Sequence, residues 1–196
     1  MNRRLLLPLA AAALAAATVA TSAATTAAGA KTTTAAATTT VAAPYCGIRW
    51  GSTAKSAVPT ATAPLTGVRA GRHPCFDRLV FDLRGRATGY RVFYVDAVTE
   101  DGSGRPVPLR GGARLLVVVV APDHDDAYRL TYVPRNRREV VAVTGWTTFR
   151  QVAYAGSFEG QTSFGLGVRA RLPFRVFTLA GPGSGSRIVV DVAHRW

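Results

Sequence analysis

The sequence is short of acidic residues, lysine and helical periodicity. Among 196 residues, lysine and arginine together number 24 and aspartate and glutamate only 11, which gives a formal net charge of +13. Lysine is present only at Lys31 and Lys55, so the positive charge is almost entirely arginine. After the amino-terminal segment, no stretch of ten residues repeats with the period of an amphipathic helix. This lack of helical periodicity argues against a helical domain and for an all-β fold.

Sequence motifs of several enzyme classes are missing as well. Ser103 and Ser184 lie in glycine-rich turns, which do not match the strand–turn–helix setting of a nucleophile elbow. The stretch Gly181–Gly185 lacks the lysine and the following helix of a phosphate-binding loop. We therefore expect neither enzyme activity nor a cofactor.

Paired carboxylates are the remaining route to catalysis. A glycosidase needs two acidic side chains that flank the scissile bond, and the β-rich part of the sequence supplies five candidates: Asp77, Asp82, Asp96, Glu159 and Asp191. We interpret Asp77 beside Arg78, and Asp191 near Arg187, as structural ion pairs. A carboxylate-based hydrolase is therefore a minor alternative.

The amino terminus has the order of segments that is typical of a secretory signal peptide. Asn2–Arg4 is basic, Leu5–Ala17 is apolar apart from Pro8, and small residues follow. A retained anchor is the alternative, but about 13 apolar residues fall short of the roughly 20 that a spanning helix needs. We predict a signal peptide over residues 1–30 and a secreted, envelope-associated protein that meets the membrane only transiently.

Residues 31–42 consist of alanine and threonine apart from Lys31 and Val41. Such a tract offers too little apolar area to offset the cost of ordering its backbone, so we predict a disordered linker. The remaining residues, 43–196, are numerous enough for one domain with a two-layer core. Without residues 1–30, which contain Arg3 and Arg4, the net charge is +11.

The two cysteines, Cys46 and Cys75, predict a disulfide. An exported protein meets an oxidising compartment, where an even number of cysteines favours pairing. The bridge would close a loop of about 30 residues and contribute about 3–4 kcal/mol in the chain-entropy model. It would pin an irregular amino-terminal segment to the first sheet. A zinc site is the weaker alternative because the CxxC spacing is missing.

Short β-rich runs separated by turns predict a small β-sandwich of about seven or eight mostly antiparallel strands. The run Leu115–Ala121 is apolar at every position, which suits a strand covered on both faces. The other main runs are Phe76–Leu83, Tyr90–Val98, Glu139–Thr148, Phe149–Ala155, Phe174–Phe177 and Ile188–Val192.

The last two runs flank the glycine-rich turn Gly181–Gly185 and predict a hairpin. We expect this hairpin to pack near the strand that follows Cys75. We also expect Trp196 to dock at an end of a sheet, because a large aromatic residue gains most from burial.

The tight cluster of basic residues is Arg135, Arg137 and Arg138, which we predict to form an exposed loop. In an exported protein such charge attracts wall polymers, acidic glycans or lipid head groups. An arginine-rich surface without a partner is the alternative. Nucleic acid is not an expected partner, because no base-stacking aromatic residues interleave the cluster.

Candidate ligand-binding residues also lie around the disulfide. Trp50 is the aromatic residue we expect to be most available for sugar stacking, although aromatic residues of small β domains more often belong to the core. Arg72 and His73 precede Cys75, where a loop histidine is the alternative interpretation. Glu159 lies in a turn that is either a ligand contact or a hairpin tip.

The densest polar cluster is Asp123–Asp126, which reads Asp-His-Asp-Asp. Clustered oxygen ligands suit Ca²⁺, but the spacing and the glycine of an EF-hand are missing. We interpret the segment as a solvated turn and expect no metal site.

These segments together resemble the AMIN-like domains of actinobacterial exported proteins and lipoproteins. The resemblance rests on an ordered set of motifs: CGIRWGS at Cys46–Ser52, VRAGRHPCFDRLVFDL at Val68–Leu83, GYRVFYV at Gly89–Val95, APDHDD at Ala121–Asp126, FRQVAYAGSFEGQTSFGLGV at Phe149–Val168, FRVFTL at Phe174–Leu179 and RIVVDVAHRW at Arg187–Trp196.

The resemblance implies a β-sandwich related to the AMIN domain, an accessory module that places envelope amidases and some secretion-pore proteins at the cell wall by contact with peptidoglycan. This sequence carries no amidase domain, and no wall-contacting motif matches it residue by residue. Our leading hypothesis is a secreted, non-catalytic module that contacts wall glycan or anionic wall polymers. The alternative is a protein–protein interaction module for another exported protein.

Overall fold

The computed structural model describes residues 43–196. This part of the chain contains eleven β-strands and one 3-10 turn, which loops connect. The predicted signal peptide and linker lie outside the described residues. Within residues 43–196, no helix has the length and the apolar character needed to cross a membrane. The all-β prediction is confirmed, and eight of the eleven strands contain six or more residues.

The 3-10 turn spans Tyr45–Gly47. The strands, numbered in chain order, are β1 (Lys55–Ala57), β2 (Leu65–Arg72), β3 (Phe76–Leu83), β4 (Tyr90–Val95), β5 (Val98–Thr99), β6 (Pro106–Val107), β7 (Ala113–Val119), β8 (Phe149–Phe158), β9 (Gln161–Val168), β10 (Phe174–Ala180) and β11 (Ser186–Ala193).

Two antiparallel sheets form the sandwich. The five-stranded sheet has the order β1-β4-β7-β9-β8, and the four-stranded sheet has the order β10-β11-β3-β2. Strands β5 and β6 pair with each other in a separate two-stranded ribbon. β7 occupies the centre of the five-stranded sheet, which agrees with its continuous apolar sequence.

The main core lies between the two large sheets. Side chains alternate between the two faces of a strand, so every second residue of β3, β7 and β11 points inward. Phe81 of β3 meets Phe164 of β9 across the interface, with ring centroids 5.0 Å apart. Both rings are fully buried, and burial of one such side chain stabilises the fold by about 1.5–3 kcal/mol.

A second, smaller core covers the outer face of the five-stranded sheet. The segment that contains β5 and β6 folds over this face and buries Val98 and Leu109 against Ala153 and Ala155 of β8. The backbone of this segment at Arg110 lies against the backbone of β9 at Gly167. Any side chain at position 167 would collide, because its Cβ atom would lie 2.0 Å from the Arg110 carbonyl oxygen. The outer face of the five-stranded sheet is therefore covered over β8 and β9 by the segment with β5 and β6.

The disulfide and the final hairpin are confirmed. Cys46 and Cys75 are bonded, with their Cα atoms 6.4 Å apart, and the bridge joins the 3-10 turn to the start of β3. β10 and β11 form an antiparallel hairpin, and β11 pairs with β3, the strand that follows Cys75.

Two structural predictions are wrong. Glu139–Thr148 contains no strand: Val140 donates one backbone hydrogen bond to Val152, and a turn at Gly145, whose φ is +76°, interrupts the segment. Trp196 is 70% exposed, and its indole donates one hydrogen bond, to the Arg171 carbonyl oxygen. Trp196 lies three residues beyond the end of β11 at Ala193, and most of its side chain faces solvent.

Candidate functional site

The outward side chains of the four-stranded sheet form three cross-strand rows. In an antiparallel sheet, residues that are directly opposite each other point to the same face. We name this surface the arginine face, because each end of it carries arginine beside aspartate. From β10 through β11 to β3, the rows are Arg175–Asp191–Arg78, Phe177–Val189–Val80 and Leu179–Arg187–Asp82.

The first row is a buried carboxylate held by two arginines. Arg78 donates to Asp191 through Nε (2.6 Å to Oδ1) and Nη2 (2.9 Å to Oδ2), and Arg175 donates through Nε (2.8 Å to Oδ2). Asp191 is fully buried, whereas about a quarter of the Arg78 side chain and a third of the Arg175 side chain are exposed. A buried carboxylate requires such donors, and in return it fixes both guanidinium groups in place.

Electrostatics at this row favour permanently charged arginines. The hydrogen bond to Asp191 raises the pKa of the Arg78 guanidinium, and partial burial opposes this effect only in part. We name the arrangement of Asp191, Arg78 and Arg175 the aspartate clamp.

Aromatic rings hold the same guanidinium groups from the side. The Arg175 group lies 5.0 Å from the ring centroid of Phe177, 5.4 Å from Phe76 and 5.5 Å from Trp50. The Arg78 group lies 5.1 Å from Phe76 and 5.5 Å from Phe177. Cation–π contacts of this kind add to the rigidity that the carboxylate provides.

The clamp leaves several N–H groups for a ligand. A guanidinium has five N–H donors. Within residues 43–196, Arg175 donates one hydrogen bond and Arg78 donates two, all to Asp191. Terminal N–H groups on two fixed and partly exposed guanidiniums form a preorganised receptor for an oxyanion, such as a carboxylate or a phosphate.

The opposite end of the arginine face has a second carboxylate between arginines. Arg69 of β2 donates to Asp82 through Nε (2.9 Å) and Nη2 (3.1 Å). Arg187 lies opposite Asp82 in the sheet register. The Arg187 Nη2 donates to the Ala180 carbonyl oxygen at 3.1 Å, and its Nε is buried without a hydrogen-bond partner among the described residues.

A cleft adjoins this end of the face. It encloses about 560 Å³ between strand ends and the turn of the final hairpin. Its lining combines apolar residues such as Leu83 and Pro182 with the polar and charged side chains of Arg69, Asp82, Arg84 and Ser184. The cleft extends the charged end of the face and adds a hydroxyl group to it.

A family model, the AMIN-like domain, matches residues 63–194. The chain belongs to the AMIN-like domain family. The match spans β2 to β11 and therefore contains the whole aspartate clamp, whereas Cys46 and Trp50 precede it. Membership is consistent with a cell-envelope-associated module. No curated protein and no solved structure matches the chain.

Two of the predicted site residues of this AMIN-like domain meet at the edge of the clamp. The His73 ring stacks on Phe76 with centroids 4.4 Å apart, and the Trp50 ring lies 5.9 Å from Phe76 on a tilted plane. The Trp50 indole donates to the Tyr45 carbonyl oxygen at 2.9 Å. The Arg72 side chain lies on the other face of the sheet, with its guanidinium carbon 5.9 Å from the centroid of the Trp146 ring.

The predicted basic loop lies beside β8 of the other sheet. Arg137 stacks 4.8 Å from the Tyr154 ring and pairs with Glu100 at 3.6 Å. The Arg138 carbonyl oxygen accepts a hydrogen bond from the Gln151 side chain, and Arg135 is exposed. The structure therefore does not bring this loop together with Trp50 and His73.

Glu159 forms the tip of the β8–β9 hairpin. It is exposed, and its φ of +49° is a left-handed turn conformation. Glu159 therefore lies at a hairpin tip, and a ligand contact there stays a prediction.

The clamp was not predicted from the sequence, and the two predicted ion pairs, Asp77–Arg78 and Asp191–Arg187, are wrong. Asp191 pairs with Arg78 and Arg175 and not with Arg187. Asp77 does not pair with Arg78: it accepts backbone N–H groups of Thr148 (2.7 Å) and Phe149 (2.9 Å) and lies 3.2 Å from a ring nitrogen of His194. Asp77 points inward and holds the start of β8, whereas its neighbour in sequence points outward.

The Asp123–Asp126 segment is a turn held by its own carboxylates. Asp125 accepts backbone N–H groups of Ala127 and Arg129 and pairs with the Arg129 guanidinium at 2.8 Å. These bonds, chiefly the one from the Arg129 side chain, lower the pKa of Asp125. Within the described part of the chain, no group of three or more His, Cys, Asp or Glu residues could hold a metal ion.

Proposed function

We propose that this AMIN-like domain is a secreted, non-catalytic binding module of the cell envelope that contacts peptidoglycan or anionic wall polymers. The observation that carries the proposal is the aspartate clamp, a partly exposed pair of guanidinium groups fixed by a buried carboxylate and by aromatic rings. Bidentate guanidinium contacts suit the carboxylates of peptide stems and the phosphates of wall polymers.

The net charge of the chain supports the same reading. At +11 without residues 1–30, the protein attracts polyanions over distances up to the Debye length, about 8–10 Å at physiological salt. Long-range attraction raises the local concentration of an anionic polymer, and the clamp then supplies contacts of defined geometry.

The two fully buried acids support a non-catalytic role. Asp77 is occupied by backbone N–H groups and Asp191 by guanidinium groups. A general acid must exchange a proton with substrate, and these carboxylates serve as hydrogen-bond acceptors inside the fold.

Sedimentation of the full-length protein with purified cell walls tests the proposal. We expect retention on walls, and at least tenfold lower retention for Arg175→Gln, because loss of charge-assisted hydrogen bonds costs about 1.5–3 kcal/mol. A matched preparation stripped of anionic polymers separates peptidoglycan from those polymers.

The control variant is Arg91→Gln, which removes the same charge from an exposed arginine of β4 in the other sheet. Equal loss for both variants would indicate attraction by net charge alone and would contradict a role of the clamp. No retention on either preparation, beside a working positive control, would reject the proposed function.

A second candidate function is docking of another exported protein. One surface observation favours it: Tyr128, Leu130 and Val133 are 83%, 65% and 67% exposed within a single loop. Leu130 and Val133 line a cleft of about 310 Å³ together with Tyr154. Exposed apolar residues that cluster in this way mark protein contacts more often than isolated ones do.

Crosslinking in intact cells tests this alternative. We expect a photoreactive residue at position 130 to capture a defined exported protein, and the same residue at the exposed Val58 to capture none. Recovery of no protein from either position would count against the docking function and leave the wall-binding proposal unaffected.

A further inference from the structure

The arginine face carries two separate arginine–aspartate groups with an apolar row between them. The first is the aspartate clamp. The second is the Arg69–Asp82 ion pair with Arg187 opposite Asp82 in the sheet register, and we name it the distal group. The two groups occupy the first and the third row, which are four residues apart on β3 and on β11. Side chains alternate along a strand, so both groups project from the same side of the sheet.

The spacing of the groups follows from strand geometry. Asp191 and Arg187 are separated by four residues of β11, and a strand advances about 3.3 Å per residue, so the groups lie about 13 Å apart along the strands. Phe177 is the half-buried residue of the intervening row, where Val80 and Val189 are buried beneath neighbouring side chains.

We propose that the two groups are subsites for one linear anionic wall-type polymer of sugars or polyols, whose carboxylates or phosphates engage both groups at once. This inference rests on the proposed function, and it specifies that the ligand must extend at least about 13 Å between two of its negative charges. The uncharged part between these charges lies over Phe177.

Charge complementarity identifies the occupant. The four arginines of the two groups outnumber the two aspartates, so the face keeps a charge of +2. The distal group also has donor capacity to spare, because Arg69 is 56% exposed and only two of its five N–H groups hydrogen-bond to Asp82. A neutral glycan would leave this excess charge uncompensated.

The chemistry of the face favours a polymer with charged side groups over a peptide. A bound peptide strand typically adds to a sheet edge, where backbone N–H and C=O groups are free. The middle of a sheet face offers side chains only, because its backbone groups are paired with the neighbouring strands. Recognition there must therefore use the oxyanions of the ligand.

Calorimetry with the full-length protein and oligogalacturonates from monomer to hexamer tests the inference. We expect weak binding of the monomer and a drop in Kd of about 100-fold once the chain spans both groups, because the second contact becomes intramolecular. Oligomers of glycerol phosphate form a second arm, which distinguishes phosphate from carboxylate as the preferred oxyanion.

Two substitutions locate the length dependence. Arg187→Gln should abolish the drop in Kd with oligomer length, whereas Arg175→Gln should weaken the binding of every oligomer. Arg69→Gln repeats the test at a side chain that is 56% exposed, so the result does not depend on how well the first variant folds. Arg91→Gln is again the charge-matched control.

The outcomes separate this inference from the proposed function. Wall retention with no length dependence in either arm would overturn the two-subsite inference and leave the wall-binding function standing. A length-dependent drop that Arg187→Gln and Arg69→Gln both remove would support the inference even if cell walls failed to retain the protein. Equal length dependence with oligoglutamate would overturn the assignment to a wall-type polymer.

Discussion

The outward surfaces of the two large sheets differ in what packs against them. The five-stranded sheet is covered over β8 and β9 by the segment with β5 and β6, which buries Val98 and Leu109 against it. On the four-stranded sheet, the segment around Trp50 packs against Phe76 and Arg175 at one end only, and the rest of the outward surface consists of arginine, aspartate, aromatic and aliphatic side chains. Backbone and aliphatic side chains pack on the outer face of the five-stranded sheet, whereas charged side chains occupy both ends of the outer face of the four-stranded sheet.

This difference separates structural residues from candidate binding residues. Glycine at positions 165 and 167 of β9 lets the covering segment approach, because a Cβ atom there would lie 2.7 Å from Leu109 Cδ1 and 2.0 Å from the Arg110 carbonyl oxygen. On the arginine face, Gly71 has only His73 Nε2 near its Cβ position, at 3.9 Å. The surface at Gly71 is therefore open, whereas the surface at Gly165 and Gly167 is occupied by the covering segment.

The largest effect should come from removing the carboxylate of the aspartate clamp. Asp191→Ala leaves two partly buried arginines without their partner and should lower the free energy of unfolding by about 3 kcal/mol. Urea denaturation followed by tryptophan fluorescence measures it. Asp82→Ala, in the more exposed pair with Arg69, should cost less than about 1 kcal/mol. Equal losses would mean that burial does not distinguish the two ends of the face.

A smaller effect should distinguish the covered face from the open one. Gly167→Ala forces a Cβ atom against the Arg110 carbonyl oxygen, which requires a backbone shift and should cost about 2 kcal/mol. Gly71→Ala meets no close neighbour and should change the free energy of unfolding by less than about 0.5 kcal/mol. Thermal and urea unfolding of the two variants provide the measurement, and a comparable loss in Gly71→Ala would contradict the contrast between the faces.

An effect confined to alkaline pH should come from a group that belongs to neither outer face. Tyr94 lies between the sheets, donates to the Leu172 carbonyl oxygen at 2.6 Å, and burial raises its pKa to about 12. A free tyrosine titrates near 10, so the folded state favours the protonated form. The stability that this group contributes is complete below pH 10 and should be lost as the pH rises from about 10 to about 12.

Urea midpoints and phenolate absorbance, recorded across this pH window, measure the change. In Tyr94→Phe the alkaline loss should be smaller, although the variant also loses two hydrogen bonds to Leu172. Binding to wall polymers at neutral pH should be unchanged, since Tyr94 does not lie on the arginine face. An identical alkaline loss in the wild type and in Tyr94→Phe would rule out this residue as its source.

The strands were predicted from the sequence more accurately than the loops. Phe76–Leu83 and the final hairpin were predicted because apolar alternation and glycine turns are local signals. Glu139–Thr148 was predicted as a strand and is irregular: its valines pack on the core, while a turn at Gly145 prevents continuous pairing with β8. β-branched composition indicates a buried extended segment and does not establish a ladder partner.

The sequence by itself determined the strand pattern, the disulfide between Cys46 and Cys75, the basic charge and the resemblance to the family. Each of these depends on composition or on neighbours within a few residues. The tertiary structure alone decided the candidate site. Arg78 and Asp191 are 113 residues apart, and they meet because β3 pairs with β11 in one register. Alternation assigns a residue to a face, but long-range pairing decides which side chains share it, since a shift of one residue would reverse every side chain of the strand.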